Sequence, residues 1–150
     1  MNTIIEAKRH LRENFNTGTD CPCCGQFVKL YKRKLAATPS RMLIRLYSLL
    51  DGWNHVSEIV KGISSTGSND FSKLAYWKLI EEKGNLNNDG KKNSGYWKIT
   101  KKGRDFVENK IRIPSYVLIY NTKCYGFSDD ETTIIGALGE KFSYNELMNI

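Results

Sequence analysis

The sequence contains no long apolar segment of the kind that spans a membrane. No apolar run approaches the roughly 20 residues that cross a bilayer as a helix. The N-terminal stretch MNTIIEAKRHLREN also lacks the apolar region and the small-residue cleavage site of a secretory signal. We therefore expect a cytoplasmic protein that has no membrane partner.

Catalytic signatures are scarce as well. The two histidines, His10 and His55, have no serine, cysteine or carboxylate near them at a spacing typical of a catalytic group. The sequence has no glycine-rich loop of the kind that binds phosphates. An acidic cluster at residues 129–131 is explained without catalysis, because the first turn of a helix favours acidic side chains. The sequence therefore predicts a protein that is not an enzyme.

Acidic residues are absent from two stretches that are rich in lysine and arginine. Residues 21–50 and residues 90–104 each contain six basic residues and no acidic one, whereas residues 128–150 carry a net charge of −4. The whole chain of 150 residues has a net charge of +7, so its first 127 residues hold +11. Two concentrated basic blocks are typical of a protein that binds a polyanion. A merely solvated basic surface is the alternative.

Apolar periodicity and capping residues predict an α+β fold. The predicted elements are, in chain order, a helix over 2–15, a half-buried strand in FVKLYKRKL, a helix starting at Thr38 and Pro39, a short helix in SEIVKGI, a third helix from Asn69 or Asp70 to near Trp77, a β-hairpin, and a helix in TKKGRDFVENK. A third helix that runs on to Lys83, with Gly84 as its C-terminal cap, is the alternative. The end near Trp77 is favoured, because it places Leu79 and Ile80 opposite Trp97 and Ile99. The tip of the hairpin is rich in asparagine, glycine and lysine, as hairpin turns are.

The remaining residues predict a short C-terminal α/β extension. SYVLIYN and CYGFS form a second hairpin, and two capping boxes, Ser128 with Glu131 and Ser143 with Glu146, start the last two helices. The expected division is an N-terminal helix and knuckle over 1–37, a second unit over 38–112 and the extension over 113–150. The extension is too apolar to stay exposed, so we expect it to pack on the second unit or on a second copy.

The third helix, the first hairpin and the stretch YWKITKKGRDF together resemble the winged-helix family of bacterial and phage DNA-binding proteins. In that family an aromatic strand that ends in Ile/Leu-Thr, followed by x-x-Gly, joins the wing to the next helix. The residues in those places here are Trp97, Ile99, Thr100 and Gly103. DFSKLAYW occupies the position of the recognition helix and NLNNDGKKNSG that of the wing tip.

The resemblance covers about residues 39–110, and the sequence departs from it in one place there. Lys78 stands where a glycine often follows the tryptophan. Upstream, a Cys-Pro-x-Cys-Gly turn and a basic strand before a winged helix are similar to small bacteriophage proteins. In this turn Cys23 is an extra thiol.

The resemblance implies a winged helix-turn-helix that binds double-stranded DNA in a bacterial host cell. A recognition helix fits the major groove, which is about 12 Å wide. Lysines and arginines on the neighbouring strand and wing would release counterions from phosphates. The candidate DNA-binding residues are Asn69, Ser72, Lys73 and Tyr76 on the third helix, Lys91 and Lys92 at the wing tip, and Lys29, Lys32, Arg33 and Lys34 on the basic strand.

Cys21, Cys24 and Gly25 form a Cys-x-x-Cys-Gly turn, which is typical of half of a zinc site. Zinc is therefore a candidate cofactor, with Cys21 and Cys24 as ligands. The further ligand candidates, none at a diagnostic spacing, are Cys23, His10, His55 and Cys124. A metal-free turn of the same shape is the alternative. A thioredoxin-like redox motif is disfavoured, because a glycine and a basic strand follow the second cysteine instead of a helix.

These observations predict a non-enzymatic DNA-binding protein, a phage-encoded transcriptional or regulatory factor. The alternative is a winged-helix module that binds and inhibits a host transcription or defence protein. An accessory subunit of a nuclease or a modification enzyme is a third class. A homodimer is compatible with each of these functions.

Overall fold

The structure, a computed structural model, describes residues 3–49, 52–63, 68–84 and 93–149, without the side chains of Ser68, Asn69 and Asn93. The helices within these ranges are α1 (Ile4–Asn14), α2 (Ala37–Ser48), α3 (Val56–Val60), α4 (Ser68–Ser72), α5 (Lys101–Val107), α6 (Ile134–Leu138) and α7 (Tyr144–Met148). A 3-10 helix, Lys73–Trp77, continues directly from α4. None of the described helices has the length and apolar character needed to cross a membrane.

Short strands make up the β part of the fold. They are β1 (Thr19–Asp20), β2 (Phe27–Val28), β3 (Tyr31–Lys34), β4 (Asn54–His55), β5 (Ile80–Gly84), β6 (Asn93–Ile99), β7 (Ile113–Pro114), β8 (Tyr116–Tyr120), β9 (Lys123–Phe127) and β10 (Glu131–Thr132). They pair as four small antiparallel sheets in the orders β1-β2, β7-β10, β3-β8-β9 and β4-β6-β5. The fold is therefore α+β, as predicted.

Two predicted helix starts are wrong. The helix α2 begins at Ala37, after Ala36 and not after Thr38, and no side chain caps it. The Ser128–Glu131 capping box does not form, because Glu131 and Thr132 pair with β7 as a strand. The helix α6 starts later, where the Thr133 hydroxyl accepts a hydrogen bond from the Gly136 amide at 3.1 Å. The predicted Ser143 cap of α7 is confirmed.

The third helix ends at Trp77, and β5 follows it almost at once. Lys78, at the position where the winged-helix pattern often has glycine, takes the left-handed conformation with φ of 61° and ψ of 30°. This conformation costs a residue with a Cβ atom about 1–2 kcal/mol. In β5, Ile80 pairs with Ile99 of β6, whereas Trp97 lies opposite Glu82 and not opposite Leu79.

The Thr100-x-x-Gly103 motif joins β6 to α5 through specific contacts. The Thr100 hydroxyl donates to the Lys78 carbonyl at 2.7 Å and accepts from the Gly103 amide at 3.0 Å, so it caps α5 and holds the start of β5. The Thr100 amide donates to the Leu79 carbonyl at 3.0 Å. A Cβ atom on Gly103 would clash with that same carbonyl. This position therefore requires glycine.

One hydrophobic core connects the helices with the C-terminal extension. Buried side chains of α2, including Met42 and Leu43, belong to the same cluster as Ile134 and Leu138 of α6. The Tyr144 hydroxyl donates to the Val107 carbonyl at 2.7 Å and ties α7 to α5. Desolvation of this phenol, followed by the nearby Tyr47 and Glu108, raises its pKa, so the neutral donor form is favoured. The extension thus packs on the chain's own core.

Gly103→Ala should destabilise the protein by roughly 1–3 kcal/mol, because the new methyl group clashes with the Leu79 carbonyl. In a helix, replacing glycine by alanine usually stabilises the protein by about 1 kcal/mol. At Gly103 we expect the opposite change in the free energy of unfolding. The control is Gly84→Ala, where a Cβ atom meets no atom of the described residues within 4 Å. Equilibrium unfolding in urea measures both, and equal stabilities for the two variants would contradict the described packing.

Lys78→Gly should stabilise the protein by about 1 kcal/mol, since glycine adopts the left-handed conformation without the Cβ penalty. Lys78→Ala is the matched control, because it removes the charge and keeps the Cβ atom. The urea midpoint should rise for the glycine variant alone. A gain of the same size for alanine would assign the effect to the charge and refute the conformational explanation.

Candidate nucleic-acid interface

The third helical segment, α4 with its 3-10 continuation, buries one side and leaves the other accessible. Phe71, Leu74 and Trp77 are buried in the core. Ser72, Lys73 and Tyr76, which the sequence assigns to DNA contact, are only partly buried. The Phe71 ring packs edge-on against Trp97 of the β6 strand, with 5.6 Å between the ring centroids. The predicted contact side of this segment is thus held by a packed inner side.

Trp77 anchors the end of this segment to the C-terminal part of the chain. Its indole N–H donates to the Pro114 carbonyl at 2.8 Å, and its ring lies 6.3 Å from that of Phe127. Trp77 belongs to the hydrophobic core together with Trp97 of β6. The polar end of its indole also satisfies a carbonyl that lies 37 residues away in sequence.

The basic strand predicted in FVKLYKRKL is interrupted, because Lys29 and Leu30 separate β2 from β3. All four residues of β3 are exposed, so the prediction of a half-buried strand is wrong for this part. The β3 strand lies at the edge of its sheet, next to β8.

Three cations on and next to this strand lie over tyrosine rings. Lys29 and Arg33 lie over the Tyr31 ring at 5.6 Å and 5.5 Å, and Lys32 lies over Tyr116 at 5.3 Å. Each distance is within the range of a cation–π contact.

A cleft brings β3 and the third helical segment together. It has a volume of about 330 Å³, and both Leu74 and Trp77 line it. The charged residues that line it are Lys32, Arg33, Lys34, Lys73 and Asp70. Four cations and one carboxylate line the cleft, so its net charge is positive. The carboxylate of Asp70 pairs with Lys73 at 3.7 Å. The sequence placed these cations in two separate groups, and the structure makes them neighbours.

The turn of the second hairpin lies against the same helical segment. The Tyr76 hydroxyl donates to the Thr122 carbonyl at 2.7 Å, and Ser72 and Lys73 line the adjoining open cleft with these two residues. The sequence predicted this hairpin but not its contact with the third helical segment. In the turn, both Asn121 and Thr122 have positive φ, which is typical of a tight hairpin turn.

Three predicted contact residues are not placed by this geometry. Lys91 and Lys92 lie outside the described residues, and so does the side chain of Asn69. The wing-tip contact therefore stays a prediction. Lys32, Arg33 and Lys34 line the cleft together with Lys73. Ser72 and Tyr76 line the adjoining cleft, and Lys29 lies over the Tyr31 ring next to β3.

The cysteine turn is a separate feature. The Gly25 amide donates to the Cys21 carbonyl at 2.8 Å, and the Cys21 amide donates to the Gln26 carbonyl at 2.7 Å. The amides of Cys23 and Cys24 donate to the Cys21 sulfur and lower the pKa of that thiol. Backbone N–H groups directed at a sulfur favour the thiolate, which is the form that binds metals.

The candidate zinc ligands are not gathered into one cluster in the described part of the chain. All four cysteines and both histidines lie in the described ranges, and no group of three or more His, Cys, Asp or Glu side chains there is arranged to hold a metal. His10 hydrogen-bonds Thr19 at 2.9 Å through Nε2. His55 caps α3, where its Nδ1 accepts from the Ser57 amide at 3.2 Å. Cys21 and Cys24, which line one cleft, stay candidate ligands, and structural zinc requires four.

Alkylation of Cys21 by iodoacetamide should rise with pH around a lower midpoint in the folded chain than in the unfolded chain, because the folded turn stabilises the thiolate and lowers its pKa. In concentrated urea the amide donors are lost, and the midpoint should move up. Mass spectrometry of the peptide that contains Cys21 gives both profiles. A folded midpoint equal to or above the unfolded one would contradict the described hydrogen bonds.

In comparisons with known proteins, no protein family, no curated protein and no solved structure matches the chain.

Proposed function

We propose that the chain is a winged-helix protein that binds double-stranded DNA. In this proposal α4 with the 3-10 helix is the recognition helix and β3 is a basic track beside it. The β5–β6 hairpin is the wing. The order α2, β4, α3, α4, β5, β6, with the sheet order β4-β6-β5, supports this arrangement. It is the helix, helix, helix and hairpin order that the resemblance implies.

The cleft between β3 and the recognition helix is the observation that carries the proposal. Lys32, Arg33 and Lys34 come from one element and Lys73 from the other, although about 40 residues of sequence separate the two. Asp70 is the acidic side chain among the lining residues. A continuous positive surface around a helix is what phosphate binding requires, while exposed side chains of that helix read the bases.

The roles of the two elements differ in this proposal. The three cations of β3 bind phosphates and give affinity without sequence preference. Ser72, Lys73 and Tyr76 lie on the recognition helix and select among sequences. The Tyr76 hydroxyl already donates its hydrogen to the Thr122 carbonyl. Tyr76 therefore contacts DNA through its ring or by accepting a hydrogen bond at its oxygen.

The biological role that follows is regulatory and non-enzymatic. In this proposal the protein is a cytoplasmic, phage-encoded factor that binds host or phage DNA. A small basic protein with a recognition helix and a phosphate-binding strand suits that role. The net charge of +7 and the sequence pI of about 9.2 support attraction to DNA at neutral pH.

Charge reversal at β3 tests the proposal. The variant with Lys32→Glu, Arg33→Glu and Lys34→Glu should bind a labelled duplex more weakly. Its slope of log affinity against log salt should be smaller by roughly two to three units, because about 0.9 counterion is released per phosphate contact. The measurement is a titration at three or more salt concentrations.

The matched control reverses Arg9, Lys61 and Lys141, which are exposed, do not line the cleft and lie outside both basic blocks. Both variants have a net charge of +1, so a general charge effect lowers both slopes equally. A loss confined to the β3 variant supports the interface. Equal losses, or wild-type binding by the β3 variant, refute it. In that case the protein-binding alternative becomes the better explanation.

A further inference from the structure

Cys21 and Cys24 provide a metal half-site that one chain leaves incomplete. Both thiols line the same cleft of about 340 Å³, between α1, the cysteine turn and the β8–β9 hairpin. Cys24 is exposed and Cys21 is partly exposed, so a metal ion can approach both from solvent. The two backbone hydrogen bonds of the turn, from Gly25 to Cys21 and from Cys21 to Gln26, fix its shape before any metal binds.

Cys23 is exposed and does not line this cleft, and the three remaining candidate ligands have contacts elsewhere. His10 bonds to Thr19, and His55 caps α3 and packs against the Tyr96 ring at 5.1 Å. Cys124 directs its thiol to the Gly126 carbonyl at 3.6 Å. Thiolate ligands from outside this chain would complete a four-coordinate site around Cys21 and Cys24.

We propose that Cys21 and Cys24 bind one zinc ion together with the same two cysteines of a second copy of this chain. A two-fold axis through the metal supplies four thiolates from one repeated pair, and four thiolates are a standard ligand set for structural zinc. Each coordinating thiol gives its proton to solvent, and no electron is transferred. This proposal does not depend on DNA binding.

Charge near the turn favours this arrangement. Zinc with four thiolates carries a charge of −2, and such a site is stabilised by nearby cations. Lys8 and Arg12 of α1 line the same cleft as the two sulfurs. Two copies therefore bring four cations to one site, where the anionic metal centre offsets their mutual repulsion.

Metal content and molecular mass, measured on the same sample, test the proposal. The full chain is purified with a phosphine reductant and without chelator, so that no disulfide contributes to association. We expect about 0.5 zinc per chain and a mass twice that of the 17.2 kDa chain. Addition of a chelator should give the monomer, and addition of zinc should restore the dimer.

Serine variants give the matched controls. Cys21→Ser with Cys24→Ser should abolish zinc binding and association, with an unchanged circular dichroism spectrum. Cys23→Ser, in the same turn, and Cys124→Ser should keep both properties, because neither thiol is a ligand in this proposal. One zinc per monomeric chain, a zinc-free wild type, loss of zinc in Cys23→Ser or a dimer that resists the chelator would each overturn the proposal. The wild-type chelator experiment decides even if the double variant fails to fold.

Discussion

The adjacent residues Pro114 and Ser115 hold three parts of the chain in place. The Pro114 carbonyl accepts the indole N–H of Trp77 at 2.8 Å, and the Ser115 carbonyl accepts the amide of Leu35 at 2.9 Å. The Ser115 amide donates to the Asp130 carbonyl at 2.9 Å. The Trp77 side chain is buried, so the loss of its hydrogen bond would leave a buried indole N–H without a partner, which is costly. These contacts set the end of the third helical segment beside the end of β3.

The candidate interface depends on this junction and not on either element alone. The cations of β3 lie on an exposed edge strand, and Lys73 lies on a short helical segment whose inner side is packed. The Trp77 hydrogen bond fixes the distance between the two elements, which their own local sequences do not determine. The hairpin turn at Thr122 adds a second restraint, through the Tyr76 hydroxyl. The two restraints orient one helical segment against one sheet.

Local features were predictable from the sequence, and the cleft was not. The end of the third helix at Trp77, the two hairpins and the Ser143 cap follow from residue patterns within a few positions. The partners of Trp77 and Tyr76 lie 37 and 46 residues away, and periodicity carries no information about such pairs. Short strands such as β7 and β10 exist only through mutual pairing, which is why Glu131 was assigned to a helix cap. The domain boundaries and the wing-tip contact stay predictions.

The most direct test of the central claim is a nuclear magnetic resonance titration of the isotope-labelled full chain with a duplex. If β3 and the recognition helix form one interface, the backbone amides of residues 31–34 and 70–77 should shift together. Both sets should follow one binding curve, because a single duplex contacts both elements. Shifts confined to one of the two segments, or located only around the cysteine turn and α1, would contradict the account.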